Sequence, residues 1–405
     1  MGVSVSPGTR AAIEGSVILR ILLIVFNQVG MGTFRRASHF GMALAERGHA
    51  VTLMAVSPNA RLRLCVRDLS GVKLVETPDL FSGSLRSGWD PWNVLRRVLW
   101  LNGQSFEIVH AIESRPVVLL PALIARRRGA KLIMDWCDWF GQGGSVEERP
   151  NPLVRAVLRP VETFFEEHFR TRADGTLVIN TFLREKAIAL GVPPNRVEVI
   201  YDGADTRFIP QDRIESRRAT GLPGEAPLIG YAGRIYTFDA ALMASAFNRV
   251  LKSVPDARLV LVGYFNRNIE ALLDCPEAVI RTGWLTAEQV FQYLAACDVC
   301  WLPLRDTGAN RGRWPSKLCD YLTAGRPVVA TAVGDLSDLI PRYRVGIVTL
   351  DNPDDFARCT AEMLSDRDRC DTMGRAARRA AEDVFNWTLK VDELEDFYKR
   401  VLRAH

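Results

Sequence analysis

The chain has 405 residues, of which 48% are hydrophobic and 24% are charged, and its formal net charge is +5. A length far above the roughly 150 residues of one ordinary domain predicts two domains, and the apolar content excludes an intrinsically disordered chain. The mild positive charge, dispersed along the chain, argues against a nucleic-acid partner and suits anionic small molecules or a membrane surface.

No apolar run reaches the roughly 20 residues of a membrane span, because Arg20 interrupts the longest early run, VILRILLIVF. The opening segment MGVSVSPGTRAAIEGS lacks the apolar stretch of a signal peptide, and we expect a loose tail there. These observations predict a cytoplasmic chain. Peripheral membrane contact stays open, because the arginines at 126–128, with Arg96 and Arg97, either meet anionic lipid or simply end a helix in solvent.

The eight cysteines form neither a disulfide framework nor a metal site. Cys297 and Cys300 make a CxxC pair in AACDVCWLPL, but no second pair and no nearby histidine completes a zinc site. Several other cysteines lie in apolar runs, as buried free thiols do. We therefore predict that the chain has no metal-binding residues.

Short runs of Val, Ile and Leu alternate with helical patterns along the first half of the chain. RILLIVFN precedes the helical pattern FRRASHFGMALAERG and the apolar run HAVTLMAVS, and EIVHAI, KLIMDW, GTLVIN and RVEVIYDG continue the series. Gly48 stands where the first helix should end. Continuous apolar strands separated by helices predict a parallel sheet covered on both faces.

The alternation restarts in the second half with APLIGYAGRI, ARLVLVGYF, DVCWLPL, RPVVATAVG and VGIVTL. The polar segment GADTRFIPQDRIESRRATGLPGEAP separates the two series, as a domain boundary does. We predict an α/β protein with two Rossmann-like, doubly wound parallel-sheet domains, residues 18–205 and 206–385, followed by a helix over 386–405. Because ligands bind at the carboxyl ends of such strands, the site is expected in the cleft between the domains.

The loop NQVGMGTFRR follows the first predicted strand and opens the first helix. Gly30 and Gly32 permit close approach of the backbone to a ligand, and amides at a helix start, near Thr33, attract anions. A nicotinamide-binding loop would have a third glycine where Arg35 stands, so a dehydrogenase is disfavoured. We interpret the loop as facing a substrate across the cleft. A turn required only by backbone geometry is the alternative.

The segment MDWCDWFGQGG follows another strand of the first domain and is expected to border the cleft. Asp135 and Asp138 could position or activate an acceptor hydroxyl, and Trp139 could stack on a sugar. The alternative interpretation is a helix cap and core aromatic side chains.

Two segments of the second domain suit a nucleotide diphosphate. In GYAGRI, Gly233 and Arg234 follow a strand, and a guanidinium there can hold a phosphate through two hydrogen bonds. In PSKLCDYLTAGRPVV, Ser316 and Lys317 open a helix whose free amides and dipole favour an anion. Asp320 lies about one turn along the same side and could accept hydrogen bonds from ribose hydroxyls.

Together these motifs resemble the GT-B glycosyltransferases, and are most similar to glycosyltransferase family 4. The likeness runs over residues 21–402 and is most specific in DYLTAGRPVVAT, where the family usually has Glu in place of Asp320. The resemblance implies a nucleotide-diphosphate-sugar donor, an acceptor hydroxyl and retention of anomeric configuration. It also implies no metal or other cofactor, and a C-terminal helix that packs back toward the first domain.

The chain departs from the family pattern at two places. Gly312 stands where a glutamate usually touches the donor sugar, and Ile112 replaces the histidine usually assigned to the active site. His110 remains from that motif and Glu113 follows it, so both are candidates near the reacting carbon. Arg234 and Lys317 complete the predicted catalytic set by offsetting charge on the departing diphosphate.

The predicted activity is transfer of a sugar to a small-molecule, glycan or lipid-linked acceptor. A nucleotide-sugar epimerase or hydrolase with the same cleft is one alternative. A catalytically silent nucleotide-sugar-binding partner protein is another, because of the departures at Gly312 and Ile112. Turnover of donor alone would favour the epimerase or hydrolase. Tight donor binding without turnover would favour the silent binding protein.

Overall fold

The computed structural model describes residues 18–80 and 88–404, and the predicted amino-terminal tail lies outside these residues. The N lobe contains an eight-stranded sheet. Its strands are β1 (Arg20–Gln28), β2 (Ala50–Val56), β3 (Cys65–Leu69), β4 (Val72–Thr77), β5 (Ile108–Ile112), β6 (Lys131–Trp136), β7 (Gly175–Val178) and β8 (Val197–Val199). Its helices are α1 (Phe34–Glu46), α2 (Pro91–Trp100), α3 (Pro116–Arg127), α4 (Pro152–Glu167) and α5 (Thr181–Ala189).

The first sheet has the strand order β3-β4-β2-β1-β5-β6-β7-β8. All neighbours pair in parallel except β3, which is antiparallel to β4 at the edge. Every residue of β5 and β7 is buried, because helices cover both faces of the sheet. The sequence patterns did not predict the edge hairpin, whose strand β3 is largely exposed and carries charges. Its two-residue turn needs left-handed backbone at Ser70 and Gly71 (φ +49° and +85°).

The C lobe contains a six-stranded parallel sheet. Its strands are β9 (Leu228–Ala232), β10 (Arg258–Val262), β11 (Val279–Arg281), β12 (Val299–Leu302), β13 (Val328–Thr331) and β14 (Gly346–Thr349), in the order β11-β10-β9-β12-β13-β14. The later helices are α6 (Arg213–Thr220), α7 (Thr237–Ser253), α8 (Ala287–Ala296), α9 (Gly308–Arg311), α10 (Lys317–Thr323), α11 (Leu336–Tyr343), α12 (Pro353–Ser365), α13 (Arg367–Asp383) and α14 (Trp387–Arg403). The predicted α/β architecture of two doubly wound sheets is confirmed.

The last helix, α14, crosses back to the N lobe, as predicted. Its apolar side chains are buried in the same core as α1 and strands β1, β2 and β6; they are Trp387, Val391, Leu394, Phe397 and Val401. Apolar burial therefore fixes the helix to the first sheet although it follows the second lobe in sequence. The predicted boundary between residues 205 and 206 falls between the last strand of one sheet and the first of the other.

The carboxyl ends of both sheets face a cleft between the lobes. The loop after β1, the loop after β9 and the start of α10 all reach this cleft. Among the described residues, no helix combines the length and apolar character needed to cross a bilayer.

Candidate active site

A cavity of 590 Å³, here named the first compartment, lies between the lobes. Gly233, Ser316, Lys317 and Asp320 line it from the C lobe, and Arg35 lines it from the start of α1. The structure thus brings together four of the residues predicted to bind the donor. Ser316, Lys317 and Asp320 belong to the start of α10, whereas Gly233 comes from the loop after β9. The meeting of strand ends at one edge of the sheet makes these two segments neighbours.

Lys317 is one of the residues that line the first compartment. Its ammonium group donates a 2.8 Å hydrogen bond to the backbone carbonyl of Arg234 and lies 5.0 Å from the centre of the Tyr231 ring. Burial lowers the pKa of Lys317 to about 8, against the opposing effect of Asp320. A partly desolvated ammonium group with neutral direct partners attracts an anion strongly.

The turn after β9 carries Arg234, whose backbone carbonyl accepts from the Lys317 ammonium group. Gly233 has φ +69°, in the left-handed region that favours glycine, and its N–H donates to the carbonyl of Val262 at 2.8 Å. The side chain of Arg234 is exposed, and the preceding residue, Gly233, lines the first compartment. An exposed guanidinium next to a residue that lines the compartment can turn toward a phosphate group there.

Residues of the N lobe engage two of the predicted donor-binding side chains. Arg35 Nη2 donates to Asp320 Oδ1 at 2.9 Å, and this carboxylate raises the pKa of Arg35 above its ordinary value. The Ser316 hydroxyl donates to the Asp202 carboxylate at 3.1 Å. Both contacts join the lobes across the cleft. A ribose that reaches Asp320 must therefore share or displace the guanidinium of Arg35.

The glycine loop before α1 is held by Asn27. Gly30 and Gly32 both have positive φ, at +82° and +52°. The Asn27 Oδ1 atom accepts from the backbone N–H of Thr33 at 3.0 Å and from its hydroxyl at 2.5 Å. A Cβ atom on Gly32 would lie 2.6 Å from the Asn27 amide, so the loop has no room for a larger residue there. The two glycines therefore allow the backbone of this loop to come close to a ligand directly before Arg35.

His110 and Asp135 lie in the core of the N lobe, beneath the cleft, and both are fully buried. His110 Nδ1 is 2.7 Å from the Tyr398 hydroxyl on α14, and Nε2 is 3.3 Å from Asp135 Oδ2. Arg36 donates to the same carboxylate at 2.7 Å and to Asp202 at 3.0 Å. This set of residues, the buried network, joins α1, α14 and the sheet. The roles predicted for His110 and Asp135 at the reacting carbon and the acceptor remain predictions.

The pKa values within the buried network follow from burial and charge. Burial lowers the pKa of His110, which favours the neutral imidazole. Burial acts to raise the pKa of Asp135, but Arg36 and His110 together hold it below its usual value. The network is therefore a carboxylate–guanidinium pair with a neutral histidine attached, an arrangement that satisfies its own charges.

Glu113 adopts left-handed backbone, with φ +69°, and its side chain is buried. Its Oε1 atom accepts from the N–H groups of Cys137 and Asp138, each at 2.9 Å, whereas Oε2 is buried and has no hydrogen-bond partner among the described residues. Burial, reinforced by Asp138 and Glu166, raises the pKa of Glu113 well above its usual value. Strained backbone persists where surrounding structure enforces it, and here it fixes the loop that carries Asp138.

Trp139 is inserted between the lobes rather than laid open as a stacking surface. A Cβ atom on Gly312 would lie 2.5 Å from the Cβ of Trp139, and one on Gly308 would lie 1.8 Å from the Gly143 carbonyl. Phe182 packs beside the indole, with ring centres 5.4 Å apart. Gly312, which stands where the family usually has a glutamate, is therefore required by its contact with Trp139.

A second compartment of 540 Å³ lies on the other side of the loop after β9. Asp138 lines it, and Arg313 Nε lies 3.8 Å from Asp138 Oδ1. The Arg313 guanidinium also lies 4.3 Å from the centre of the Tyr236 ring. Burial raises the pKa of Asp138 against the opposing effect of Arg313. This compartment offers a carboxylate, a guanidinium and an aromatic face to a polar ligand.

No group of three His, Cys, Asp or Glu side chains within residues 18–80 and 88–404 is arranged to hold a metal ion. Cys297 and Cys300, the CxxC pair, are buried as free thiols. Burial raises the pKa of Cys297 to about 12, which disfavours the thiolate needed for metal binding or redox chemistry.

Two family models match the chain, one for each lobe. The Glycosyl transferase 4-like domain matches residues 31–203, and the Glycosyl transferases group 1 domain matches residues 226–366. The chain belongs to the GT-B glycosyltransferases of the family 4-like type. It is an enzyme that transfers glycosyl groups from nucleotide sugars.

Named relatives agree with this class. A D-inositol 3-phosphate glycosyltransferase of Stackebrandtia nassauensis is 27% identical, over 76% of this chain and 68% of the relative. A GDP-mannose-dependent alpha-(1-6)-phosphatidylinositol monomannoside mannosyltransferase of Mycobacterium tuberculosis is 27% identical, over 71% of this chain and 74% of the relative. Sucrose-phosphate synthase from Thermosynechococcus elongatus shares the fold, with TM-score 0.77, 18% identity, and coverage of 96% of this chain and 100% of that one.

The sequence patterns missed three arginines near the site. Arg35 meets Asp320, Arg36 anchors the buried network, and Arg313 lies at the second compartment. The doublet FRR at the start of α1 was the available signal, since the two side chains leave the helix in different directions, one toward the cleft and one toward the core. No local pattern distinguishes Arg313 from an ordinary surface arginine.

Proposed function

We propose that the first compartment binds the diphosphate and ribose of the nucleotide-sugar donor. Lys317 and Arg234 would contact the phosphates, and Asp320 would accept from ribose hydroxyls once Arg35 shifts. The observation that carries this proposal is the Lys317 ammonium group, held 2.8 Å from the Arg234 carbonyl on a residue that lines a 590 Å³ cavity between the lobes. A cation with neutral direct partners facing such a cavity is arranged to receive a compact anion.

In the proposed transfer, the bond between the anomeric carbon and the diphosphate oxygen breaks, and the diphosphate leaves with the electron pair. The acceptor hydroxyl oxygen bonds to the anomeric carbon, and its proton passes to the departing phosphate oxygen on the same face, so that configuration is retained. Lys317 and Arg234 would stabilise the charge that develops on the diphosphate, which is commonly a large catalytic contribution. Glu113 and His110 would act as positioning residues.

The acceptor is proposed to occupy the second compartment, where Asp138 would orient its hydroxyl. The raised pKa of Asp138 and its contact with Arg313 support a polar acceptor there. The relatives named for inositol 3-phosphate and phosphatidylinositol monomannoside support a polyol acceptor, either a small molecule or lipid-linked. A glycan with the same hydroxyl chemistry would fit the same description.

Transfer is further proposed to need no metal ion, because two cationic side chains can offset the diphosphate charge in its place. Assay of the purified enzyme in the presence of EDTA should give an unchanged rate. Loss of activity with EDTA that Mg²⁺ restores would contradict the proposal.

The test of the donor site is Lys317→Ala, with Lys399→Ala, an exposed lysine on α14, as the matched control. Thermal shift with UDP-, GDP-, ADP- and dTDP-sugars first identifies the donor for the wild type, because a ligand of the native state raises Tm. Lys317→Ala should lose that Tm shift and lower kcat/KM by about 100-fold or more. The control should retain both.

Unchanged donor binding and transfer by Lys317→Ala would remove the proposed role. Donor turnover at the wild-type rate without any acceptor would instead indicate a hydrolase. The configuration of the product, read by NMR at the anomeric proton, tests retention separately.

A further inference from the structure

Helix α4 presents its apolar side to solvent and its charged side to the protein. Glu162 and Glu166 are its buried residues, whereas Leu153 and Val157 are 77% and 67% exposed. The exposed apolar residues recur at helical spacing along one face and are here named the α4 stripe: Leu153, Val154, Val157, Val161 and Phe164. This arrangement is the reverse of the usual surface helix, whose apolar side faces the core.

Polar anchors fix the orientation of α4. Glu166 accepts from the Trp136 indole N–H at 2.7 Å and from the N–H groups of Phe140 and Gly141 at 2.8 and 2.6 Å. Glu162 accepts from Arg149 at 3.1 Å. Rotation of the helix that buried the stripe would break these bonds and leave buried groups unpaired, at a high cost in free energy. The exposure of the stripe is therefore built into the N lobe.

The stripe suits a lipid surface better than a second copy of the chain. It is about 16 Å long at the rise of an α-helix and only one side chain wide. A stable dimer buries about 800 Å² on each partner, which a strip of this size does not supply. An apolar strip of this shape inserts well into the headgroup boundary of a bilayer, particularly where basic residues flank it.

Basic residues lie at both ends of α4. Arg149 precedes the helix, is partly exposed and is paired with Glu162, and Arg172, just beyond the carboxyl end of the helix, is exposed and 2.8 Å from His168. The nearby acidic Glu167 is neutralised by Lys186 at 2.7 Å. The exposed guanidinium of Arg172, at the end of an uncharged strip, complements the negative surface of anionic lipid.

The amino-terminal end of α4 adjoins the active site. Glu148, Arg149 and Pro150 line the second compartment, and the helix begins at Pro152. We propose that the α4 stripe seats the N lobe on an anionic lipid surface, so that the head of a lipid-linked acceptor enters the second compartment from the membrane plane. The inference rests on the acceptor site proposed above and names the source of the acceptor.

The test compares two double variants of the full chain that leave net charge unchanged. Leu153→Gln/Val157→Gln alters the stripe. Leu62→Gln/Val66→Gln makes the same exchanges at residues that are 62% and 48% exposed at the opposite edge of the sheet. Co-sedimentation uses vesicles of equimolar phosphatidylglycerol and phosphatidylcholine, and vesicles of phosphatidylcholine alone. Donor-induced Tm shifts, measured in parallel, report the donor site independently.

The wild type and the control should bind the anionic vesicles equally, and the stripe variant about tenfold more weakly, with the donor Tm shift unchanged in all three. Arg172→Gln should weaken binding to anionic vesicles only. Equal binding by the stripe variant, or no binding by the wild type, would overturn the membrane proposal. So would sedimentation equilibrium showing a wild-type dimer that the stripe variant converts to monomer. Loss of the donor Tm shift in the wild type would instead contradict the proposed donor site.

Discussion

Arg36 and Lys317 are both cations that the fold largely removes from water, but their surroundings differ. Arg36 is surrounded by acceptors: the carboxylates of Asp135 and Asp202 and the carbonyl of Ile200. Within the described part of the chain, Lys317 contacts a carbonyl and an aromatic face, and it lines the first compartment. Burial acts to lower both pKa values, but the acidic partners of Arg36 raise its pKa overall, whereas that of Lys317 falls to about 8.

The comparison distinguishes a cation that stabilises the native structure from one that is available to bind a ligand. Arg36 has its counter-charges within the chain, so it contributes to the native structure without a ligand. The charge of Lys317 is incompletely balanced by its direct partners, and an arriving diphosphate would complete that balance. Both residues lie in the first turn of a helix. Their position along the helix therefore does not explain why Arg36 is structural and Lys317 faces a cavity.

The largest expected difference is in stability. Arg36→Met should lower the free energy of unfolding by about 3–5 kcal/mol, because Asp135 is then buried without its cation. Lys317→Met should leave that free energy unchanged or raise it slightly, since the ammonium group is partly desolvated in the native state. Urea denaturation followed by circular dichroism checks both variants. Equal destabilisation by the two would abolish the distinction.

The contact of Trp139 with Gly312 offers a second comparison, between a crowded glycine and an open one. Gly312→Ala should cost about 1–3 kcal/mol, because the new methyl group overlaps the Trp139 side chain. Gly224→Ala is the control, since no atom of the described residues lies within 4 Å of a Cβ atom there. Adding Trp139→Gly to Gly312→Ala should remove the overlap, because the overlapping atom is the Trp139 Cβ, so the two changes should be strongly non-additive in a double-mutant cycle.

The lowered pKa of Lys317 predicts loss of activity at alkaline pH. The ammonium form is complete well below pH 8 and is lost as the pH rises through about 8, so kcat/KM should fall about tenfold per unit above that value. Bound diphosphate would raise this pKa, so kcat should fall only at higher pH. In Lys317→Arg the alkaline decline should vanish, because a guanidinium stays charged. A decline that persists in this variant would assign it to another group.

The smallest effect is expected at the exposed ion pair across the cleft. Arg35, whose side chain is 45% exposed, pairs with Asp320, and Arg35→Gln should change the free energy of unfolding by less than about 1 kcal/mol. The donor KM should nevertheless change, since this guanidinium contacts the carboxylate proposed to hold ribose. Steady-state kinetics at two salt concentrations measures the effect. A loss of stability comparable to that of Arg36→Met would place Arg35 with the structural cations.

Much of the fold and part of the site could be predicted from local patterns. The apolar runs and turn glycines predicted both sheets, and the position of Gly233 and Lys317 after strands predicted the first compartment. The burial of His110 and Asp135 could not be predicted. The patterns EIVHAI, which contains His110, and KLIMDW, which contains Asp135, are the same whether these side chains face the core or the cleft. The α4 stripe was also missed, since an amphipathic pattern does not say which face is inside.

The sequence by itself determined the alternation of strands and helices, the glycines at left-handed turns, and the cationic start of α10, because these follow from spacing and backbone chemistry along a few residues. Only the tertiary structure decided which charged groups meet. Arg35 and Asp320 are 285 residues apart, Arg36 and Asp135 are 99 apart, and Trp139 meets Gly312 from the other lobe. Packing of distant segments fixes burial, and burial decides whether a charge is paired within the chain or left facing a cavity for a ligand.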